Sequence, residues 1–456
     1  MINTTGTVSK ILCYLLYTVI FVTLFFLLSP PAFADSESDQ LRMRVEKLEK
    51  ELNELKLLLQ EQEEKEMKKA EVGNIEQEEI KAAKAEVVKA EVPPAGDGFR
   101  FNPYGYIKLD ASYDDSKTNY GNFILYVPSE STDKNDDEFN ITARQTRLGM
   151  EIDAPQFDDW KAQGKVEIDF YGDGSTTHEN KAEIMLRHAF IELRKEHYSL
   201  IAGQTSDLIS PLNPNTLNYI VGWSAGNIGY RRPQLMIKHN SSLGDKSRII
   251  TGLSVARTSG LTNEDLDSGG QNDGEDAGFP TVQGRIALAT KVFTEKESVF
   301  GISGHYGNEE IDWQGNTQRL KSWSVNYDFD IPISNRLSLK GEAFTGINLD
   351  DYFGGILQGV NSVTRDVIKT AGGWAQFNYI FDDKWQYNAG AGFDNPSDGD
   401  LEAGMRSKNS FIYLNVLYKI IPPITIGLEY SHWETEYINM RNGTDNRFQT
   451  SCIYSW

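Results

Sequence analysis

The sequence predicts an all-β fold, a 16-stranded antiparallel transmembrane β-barrel preceded by an N-terminal coiled-coil helix. Three observations carry this expectation. Asn446 to Trp456 alternates in character: Phe448, Thr450, Cys452, Tyr454 and Trp456 share one face of an extended strand. Arg447, Gln449, Ser451 and Ser455 share the other, with Ile453 the one exception. From Phe99 onward, similar segments recur, separated alternately by short and long gaps. The composition also suits many strands, tight turns and aromatic girdles, with 39 Gly, 21 Tyr and 22 Phe against 15 Pro.

The bulk properties exclude several classes. At 456 residues the chain is too long for one ordinary soluble domain, and it is too polar for a helical membrane protein. With 45 basic and 66 acidic residues, it argues against nucleic acid as a partner. Cys13 falls in the leader, so Cys452 stands alone and no disulfide is expected.

The N-terminal elements come in order. Lys10 precedes a nearly unbroken apolar run, Ile11 to Leu28, and then Ser29-Pro30-Pro31 and Ala32-Phe33-Ala34 before Asp35. The A-x-A pattern predicts a signal peptide over residues 1–34; the alternative is an uncleaved anchor. Leu41, Val45, Leu48, Leu52, Leu55 and Leu59 form a heptad seam, predicting a coiled-coil oligomerisation segment over 35–62. In a parallel assembly Arg44 faces Glu49 and Glu51 faces Lys56 of another copy, both opposite in sign. A lone charged helix is the alternative, and the leucines do not settle the strand number. Residues 63–98 read as a Glu/Lys/Ala linker ending in Pro93-Pro94-Ala95-Gly96, and 99–456 as the barrel.

Sixteen strands follow, beginning with Tyr104–Tyr113 and Asn140–Ile152 and ending with Asn446–Trp456. Between them lie Lys161–Phe170, Ile184–Arg194, Tyr198–Gln204, Pro233–Ser241, Ser247–Arg257, Thr281–Phe293, Ser298–Tyr306 and Arg319–Asp330. Arg336–Gly346, Thr370–Phe381, Trp385–Asp394, Ser410–Ile420 and Ile424–Glu434 complete the set. An even count puts both ends of the barrel on one side, with short turns there and long loops opposite. Several faces are clean: Val166, Ile168 and Phe170 face lipid while Lys165, Glu167 and Asp169 face inward. Trp323, Val325, Tyr327 and Phe329 oppose Ser322, Ser324, Asn326 and Asp328 in the same way. Ile184–Arg194 is less regular. A polar interior in a ring of this size leaves a water-filled lumen. In outer-membrane barrels the final strand closes the ring against the first and ends on an aromatic residue, usually Phe; here it is Trp456.

The third long gap, Thr205 to Arg232, is apolar and aromatic for a solvent loop, so it is expected to pack against something. The stretches Ala143-Arg144-Gln145-Thr146-Arg147-Leu148-Gly149, Leu186-Arg187-His188-Ala189-Phe190, Gly203-Gln204-Thr205 and Gly229-Tyr230-Arg231-Arg232-Pro233-Gln234 look like porin motifs. With the coiled coil, they resemble the DcaP-like trimeric outer-membrane porins, and more loosely the general and phosphate-selective porins. The motif match runs from about Arg144 to Gln234. The resemblance implies a homotrimer held by coiled coil and barrel walls, in outer-membrane lipid and lipopolysaccharide of a Gram-negative cell. It further implies a periplasmic N-terminal segment, a third loop folded into the lumen, and uptake of dicarboxylates or other small anions.

The candidate pore-lining residues are Arg147, Arg187, Arg231, Arg232, Lys165, Lys238, Arg285 and Lys340, with Lys108 and Lys291 also placed inward. Arginines and lysines around a lumen favour anions, and a guanidinium grips a carboxylate at two points. The inward carboxylates Asp110, Glu151, Glu167, Asp169, Glu342 and Glu429 leave the alternative that the charges pair and stiffen the wall.

No cofactor, metal or catalytic motif is expected. Asp265, Asp267, Asp273, Glu275 and Asp276 lack EF-hand spacing and read as a solvated loop. The six histidines show no paired metal spacing, and Gly301-Ile302-Ser303-Gly304-His305 lacks the nucleophile elbow. Two functions remain: a passive diffusion channel, or a structural anchor or adhesin whose coiled coil tethers the periplasm.

Overall fold

The computed structural model divides into two units, Met1–Pro94 and Ala95–Trp456. It describes residues 98–132, 136–172, 181–258, 266–270 and 273–456. The expected leader, coiled coil and nearly all of the linker lie outside the described residues.

The second unit is one antiparallel sheet closed on itself. Its first segments are β1 (Arg100–Asp114), β2 (Glu138–Thr142), β3 (Arg147–Asp153), β4 (Lys161–Asp169), β5 (Met185–Lys195), β6 (Tyr198–Ser206), β7 (Arg231–Ser242) and β8 (Ser247–Ala256). It continues through β9 (Thr281–Thr290), β10 (Ser298–Trp313), β11 (Asn316–Pro332), β12 (Leu337–Ile347) and β13 (Lys369–Ile380). β14 (Trp385–Pro396), β15 (Arg406–Ile421), β16 (Ile424–Tyr437) and β17 (Gly443–Ser455) finish the ring. β2 and β3 both pair with β1 and are halves of one crossing, so the 17 segments make 16 crossings. Among the described residues no helix is long and apolar enough to cross a membrane.

The ring closes where β17 meets β1, from Tyr106↔Ser455 to Asp114↔Arg447, and the Trp456 amide donates to the Gly105 carbonyl at 3.2 Å. Alternation explains the closure energetically. On β1, Ile107 and Leu109 point out and stay 54% and 49% exposed, whereas Lys108 and Asp110 point in and are buried. A membrane-spanning sheet has to satisfy every peptide group internally, and a closed ring leaves no edge.

Three expectations needed correction. The second crossing is not one continuous strand: Asp110 faces Thr142 and Tyr106 faces Arg147, four residues on β1 against five on its partner. The extra residue is a bulge, which reverses the facing of everything after it. The gap expected between Tyr306 and Arg319 does not exist, because β10 and β11 pair as far as Trp313↔Asn316. Their turn is Gln314-Gly315, both at positive φ (53° and 78°), as a two-residue hairpin demands. That tight turn, with the short connection 438–442, breaks the strict alternation of short and long gaps. Finally, β9 stops at Thr290, so Lys291 lies in the turn, where it pairs with Glu295 at 3.1 Å rather than facing the lumen.

At the long-loop end, loops 1 (115–137), 3 (207–230) and 6 (348–368) fold inward and pack together. Phe123 and Leu125 of loop 1, Ile220 and Trp223 of loop 3, and Phe353 of loop 6 share one buried cluster with Tyr171. Trp223 and Phe353 stack at 4.2 Å with an interplanar angle of 5°. The sequence leads to an expectation of one inserted loop; three fold inward.

Arg447 joins the ring to loop 1. Its guanidinium holds Asp114 across the closing seam at 2.6 and 2.9 Å and donates to the carbonyls of Gly121 and Asn122, with both charged groups fully buried. Replacing Arg447 by Met leaves Asp114 a buried, uncompensated charge, at a cost of about 3–5 kcal/mol. The expected result is a lower midpoint in urea unfolding of the refolded barrel; an unchanged midpoint would show that the seam does not depend on this pair.

Candidate functional site

Loop 3 enters the lumen as irregular backbone, so its peptide groups need partners. The inward face of the wall supplies them. Gln283 Oε1 of β9 accepts the Leu208 amide at 2.7 Å. Glu342 of β12 accepts the Leu212 amide at 2.7 Å, and Gln376 of β13 the Asn215 amide at 2.6 Å. Glu429 of β16 accepts the amides of Leu217 and Asn218 at 2.6 and 3.3 Å. Donors meet the loop carbonyls in turn: Lys340 Nζ reaches Asn213 O at 2.7 Å, and Asn415 Nδ2 reaches Asn215 O at 2.7 Å. Lys108 Nζ and Gln449 Nε2 both donate to Leu217 O, at 2.8 and 3.1 Å.

Glycines permit the close approach on the return path. Gly226 has φ +113°, and a Cβ there would stand 2.2 Å from the Gly373 carbonyl oxygen. The loop is thus held by hydrogen bonds to the wall from β9 round to β1, while its contacts with β3–β5 leave a gap.

A cavity of ≈380 Å³ remains between loop 3 and β3–β5, within the size range of small-molecule sites. Arg147, Glu167, Arg187, His188, Tyr219, Trp223, Tyr230 and Arg231 line it. A second bulge shapes this wall. The pairing of β4 with β5 shifts at Glu167/Ile168, leaving Arg187 as an extra residue between His188↔Glu167 and Leu186↔Ile168. Two consecutive side chains, Arg187 and His188, therefore line the cavity. This is why Ile184–Arg194 reads as irregular in sequence.

The charges around the cavity divide into held and available groups. Arg187 is held: Nε bonds Glu167 at 2.8 Å and a terminal nitrogen bonds Asp169 at 2.6 Å. The Tyr104 hydroxyl also donates to Glu167, at 2.8 Å. Tyr219 of loop 3 donates its hydroxyl to Asp169 at 3.1 Å. Burial, and then the Asp169 charge, hold the Tyr219 phenol well above its ordinary range, with Arg187 opposing, so it stays a neutral donor. Arg147 touches Glu167 only at 3.5 Å, keeps 23% of its side chain exposed and lies 5.3 Å from the Tyr106 ring centre. Arg231 forms no ion pair among the described residues; it lies 4.7 Å from the Tyr230 ring and 5.8 Å from Trp223, with a terminal nitrogen 3.6 Å from Met185 Sδ.

The other expected pore residues lie elsewhere. Arg232 is wholly buried beneath loop 6: Nε pairs with Asp207 at 2.8 Å, a terminal nitrogen bonds Asp351 O at 3.2 Å, and Tyr352 covers it at 4.1 Å. Lys340 and Lys108 hold loop 3. Arg285 is paired with Asp328 at 2.5 and 3.0 Å. Lys165 contacts Glu151 at 3.4 Å and the Tyr104 ring at 4.7 Å, outside the cavity lining. Lys238 is half-buried on the inward face of β7 with Gln234 and Met236. Reading the sequence alone did not single out Tyr219, Tyr230 or Trp223 as lining residues; the aromatic content of the loop was their only signal.

Loop position rests on the carboxylates of β12 and β16. Changing Glu429 to Leu leaves two buried amides unpartnered, at about 1–3 kcal/mol each. Loop 3 is expected to lift from the wall, and single-channel conductance in planar bilayers to rise; conductance equal to the parent would mean that the loop is held by its other contacts.

The comparisons agree with this geometry. The outer membrane channel DcaP of Acinetobacter baumannii superposes with a TM-score of 0.63 at 20% identity, covering 79% of this chain and 99% of that one. An anion-selective porin from Comamonas acidovorans matches with a TM-score of 0.51 at 9% identity, over 78% of this chain and 100% of that one. OprB of Pseudomonas putida gives 0.51 at 10% identity, over 79% and 94%. These likenesses establish a shared porin-like barrel. No curated relative matches the chain. The family model described as DcaP outer membrane protein matches residues 33–264, just over half of the 456 residues. An outer-membrane channel barrel with an inserted loop, this chain belongs to the DcaP outer membrane protein family.

Proposed function

We propose that the chain forms a passive diffusion channel for small hydrophilic solutes with a preference for anions, dicarboxylates among them. The observation that carries this reading is Arg231, a guanidinium on the cavity wall with no ion-pair partner among the described residues, with the loosely paired Arg147 beside the same cavity. The carboxylates near them do not compensate: Asp169 and Glu167 are held by Arg187, and Asp207 by Arg232. An arriving carboxylate finds donors of the right sign in a narrow, partly desolvated passage, where charge-assisted hydrogen bonds are strongest. The neutral Tyr219 hydroxyl and the Tyr230 and Trp223 rings supply the polar edge and flat faces that suit a short-chain or planar diacid.

The assembly belongs to the same reading. A homotrimer joined by the heptad seam Leu41 to Leu59 on the periplasmic side, with barrel walls in contact within lipid and lipopolysaccharide, follows from family membership and the seam. A second reading, a structural anchor or adhesin, is favoured by the packing of loops 1, 3 and 6 into one apolar cluster over the lumen.

Conductance separates the two. Purified protein in a planar bilayer under a KCl gradient is expected to open in steps of three, with a reversal potential of anion-selective sign. Arg147→Glu with Arg231→Glu is expected to move that potential toward cation selectivity while conductance persists. A cation-selective parent would overturn the anion reading. No steps from protein shown folded by heat-modifiable gel mobility would favour the anchor.

A further inference from the structure

We propose that Asn348, Asp350 and Asp351 of loop 6, with Glu309 of β10, form a calcium site that pins loop 6, and through it loop 3, to the barrel wall. Carboxylate oxygens of Glu309, Asp350 and Asp351 lie within 4.8 Å of one another, and all three residues are buried. A calcium shell, with oxygens at about 2.3–2.6 Å from the ion, spans roughly 5 Å from side to side. Three buried carboxylates this close repel one another, and a divalent cation seated between them relieves that repulsion.

The second observation is independent of the carboxylates. Asn348 is 0% exposed, and neither its Oδ1 nor its Nδ2 has a hydrogen-bond partner among the described residues. An unpartnered buried amide is costly unless something else occupies it. Its oxygen is aimed at the acidic group. A Cβ on Gly359 would stand 2.0 Å from Asp350 Oδ1 and 2.2 Å from Asn348 Oδ1, so the two oxygens converge over the one residue that leaves them room. The backbone frames them: the Asn348 amide donates to Ile368 O at 3.0 Å, and the Ile368 amide to Gly359 O at 2.7 Å. An all-oxygen donor set of three carboxylates and an amide suits calcium. Magnesium favours a tighter octahedron and retains its waters.

Position gives the ion its effect. Asp351 accepts from Arg232 through its main-chain oxygen, and Arg232 is paired with Asp207 at the start of loop 3. The next two carbonyls, Tyr352 O and Phe353 O, accept the loop 3 amides of Gly229 and Ser224, each at 2.9 Å. Loop 6 is therefore the backing for loop 3, and an ion joining it to β10 fixes that backing.

The test uses the full-length protein in detergent, stripped with EGTA and titrated with calcium chloride by calorimetry. One ion per chain is expected, with a dissociation constant of about 10⁻⁴ M or tighter, and with equal magnesium failing to compete. Calcium is also expected to raise the unfolding temperature of the parent protein, a readout that needs no variant. Glu309→Gln, isosteric and checked for folding by heat-modifiable mobility, is expected to weaken calcium binding by more than about tenfold and to abolish the thermal shift. A parent protein that binds no calcium, or a folded Glu309→Gln variant that binds it as tightly as the parent, would overturn the proposal; the second result would place the ion elsewhere.

Discussion

Everything at the constriction depends on one requirement: a stretch of irregular backbone inside a barrel has to find hydrogen-bond partners for its amides and carbonyls. Loop 3 finds them on the inner wall from β9 round to β1, in Gln283, Glu342, Gln376, Asn415, Glu429, Gln449, Lys108 and Lys340. These contacts decide which wall charges the loop engages. Glu342 and Glu429 are turned to loop amides, and Lys108 and Lys340 to loop carbonyls. What remains is the opposite wall, where Arg147 and Arg231 outnumber the carboxylates not already engaged.

That opposite wall owes its chemistry to two irregularities. A strand of strict alternation offers every second side chain to the lumen. One extra residue between Thr142 and Arg147, and another at Arg187, each reset that count. The first turns Arg147 inward, and the second lets Arg187 and His188 face the same space in succession. Bulges gather near functional sites because they change where a side chain points without breaking the sheet. Here two of them, on the second and fourth crossings, concentrate guanidinium groups in a patch that regular strands would have spread apart.

Much of the fold was legible because membrane-spanning strands carry a simple code. Alternation gave the number of crossings, the closing partner of Arg447–Ser455 and the facing of Lys165, Glu167 and Asp169. That Arg147, Arg187 and Arg231 face inward, where they line one cavity, was legible for the same reason, together with the motifs around them. Arg232 was not distinguishable from Arg231, since nothing local announces that Asp207 and Tyr352 will enclose it. The inward folding of loops 1 and 6 was hidden as well. Their partners, such as Thr435 for the Val127 amide and Asp394 for the Ile356 amide, lie on strands remote in sequence. The length of the β10–β11 hairpin was missed because Asn308 to Gln318 is mostly polar, with only Ile311 and Trp313 to carry an alternating pattern.

The seam at Arg447 also has a bearing on the order of assembly. Loop 1 follows the first strand, yet its docking partners come at the far end of the chain: Asn409 for Leu125 O, Tyr437 for Val127 O and Arg447 for Gly121 O and Asn122 O. Contacts across more than 280 residues form late, since the intervening chain has to be ordered first. The first loop made is therefore among the last to settle. The furnishing of the mouth thus depends on the finished wall: the docking face for the first loop is complete only when the last strand is in place.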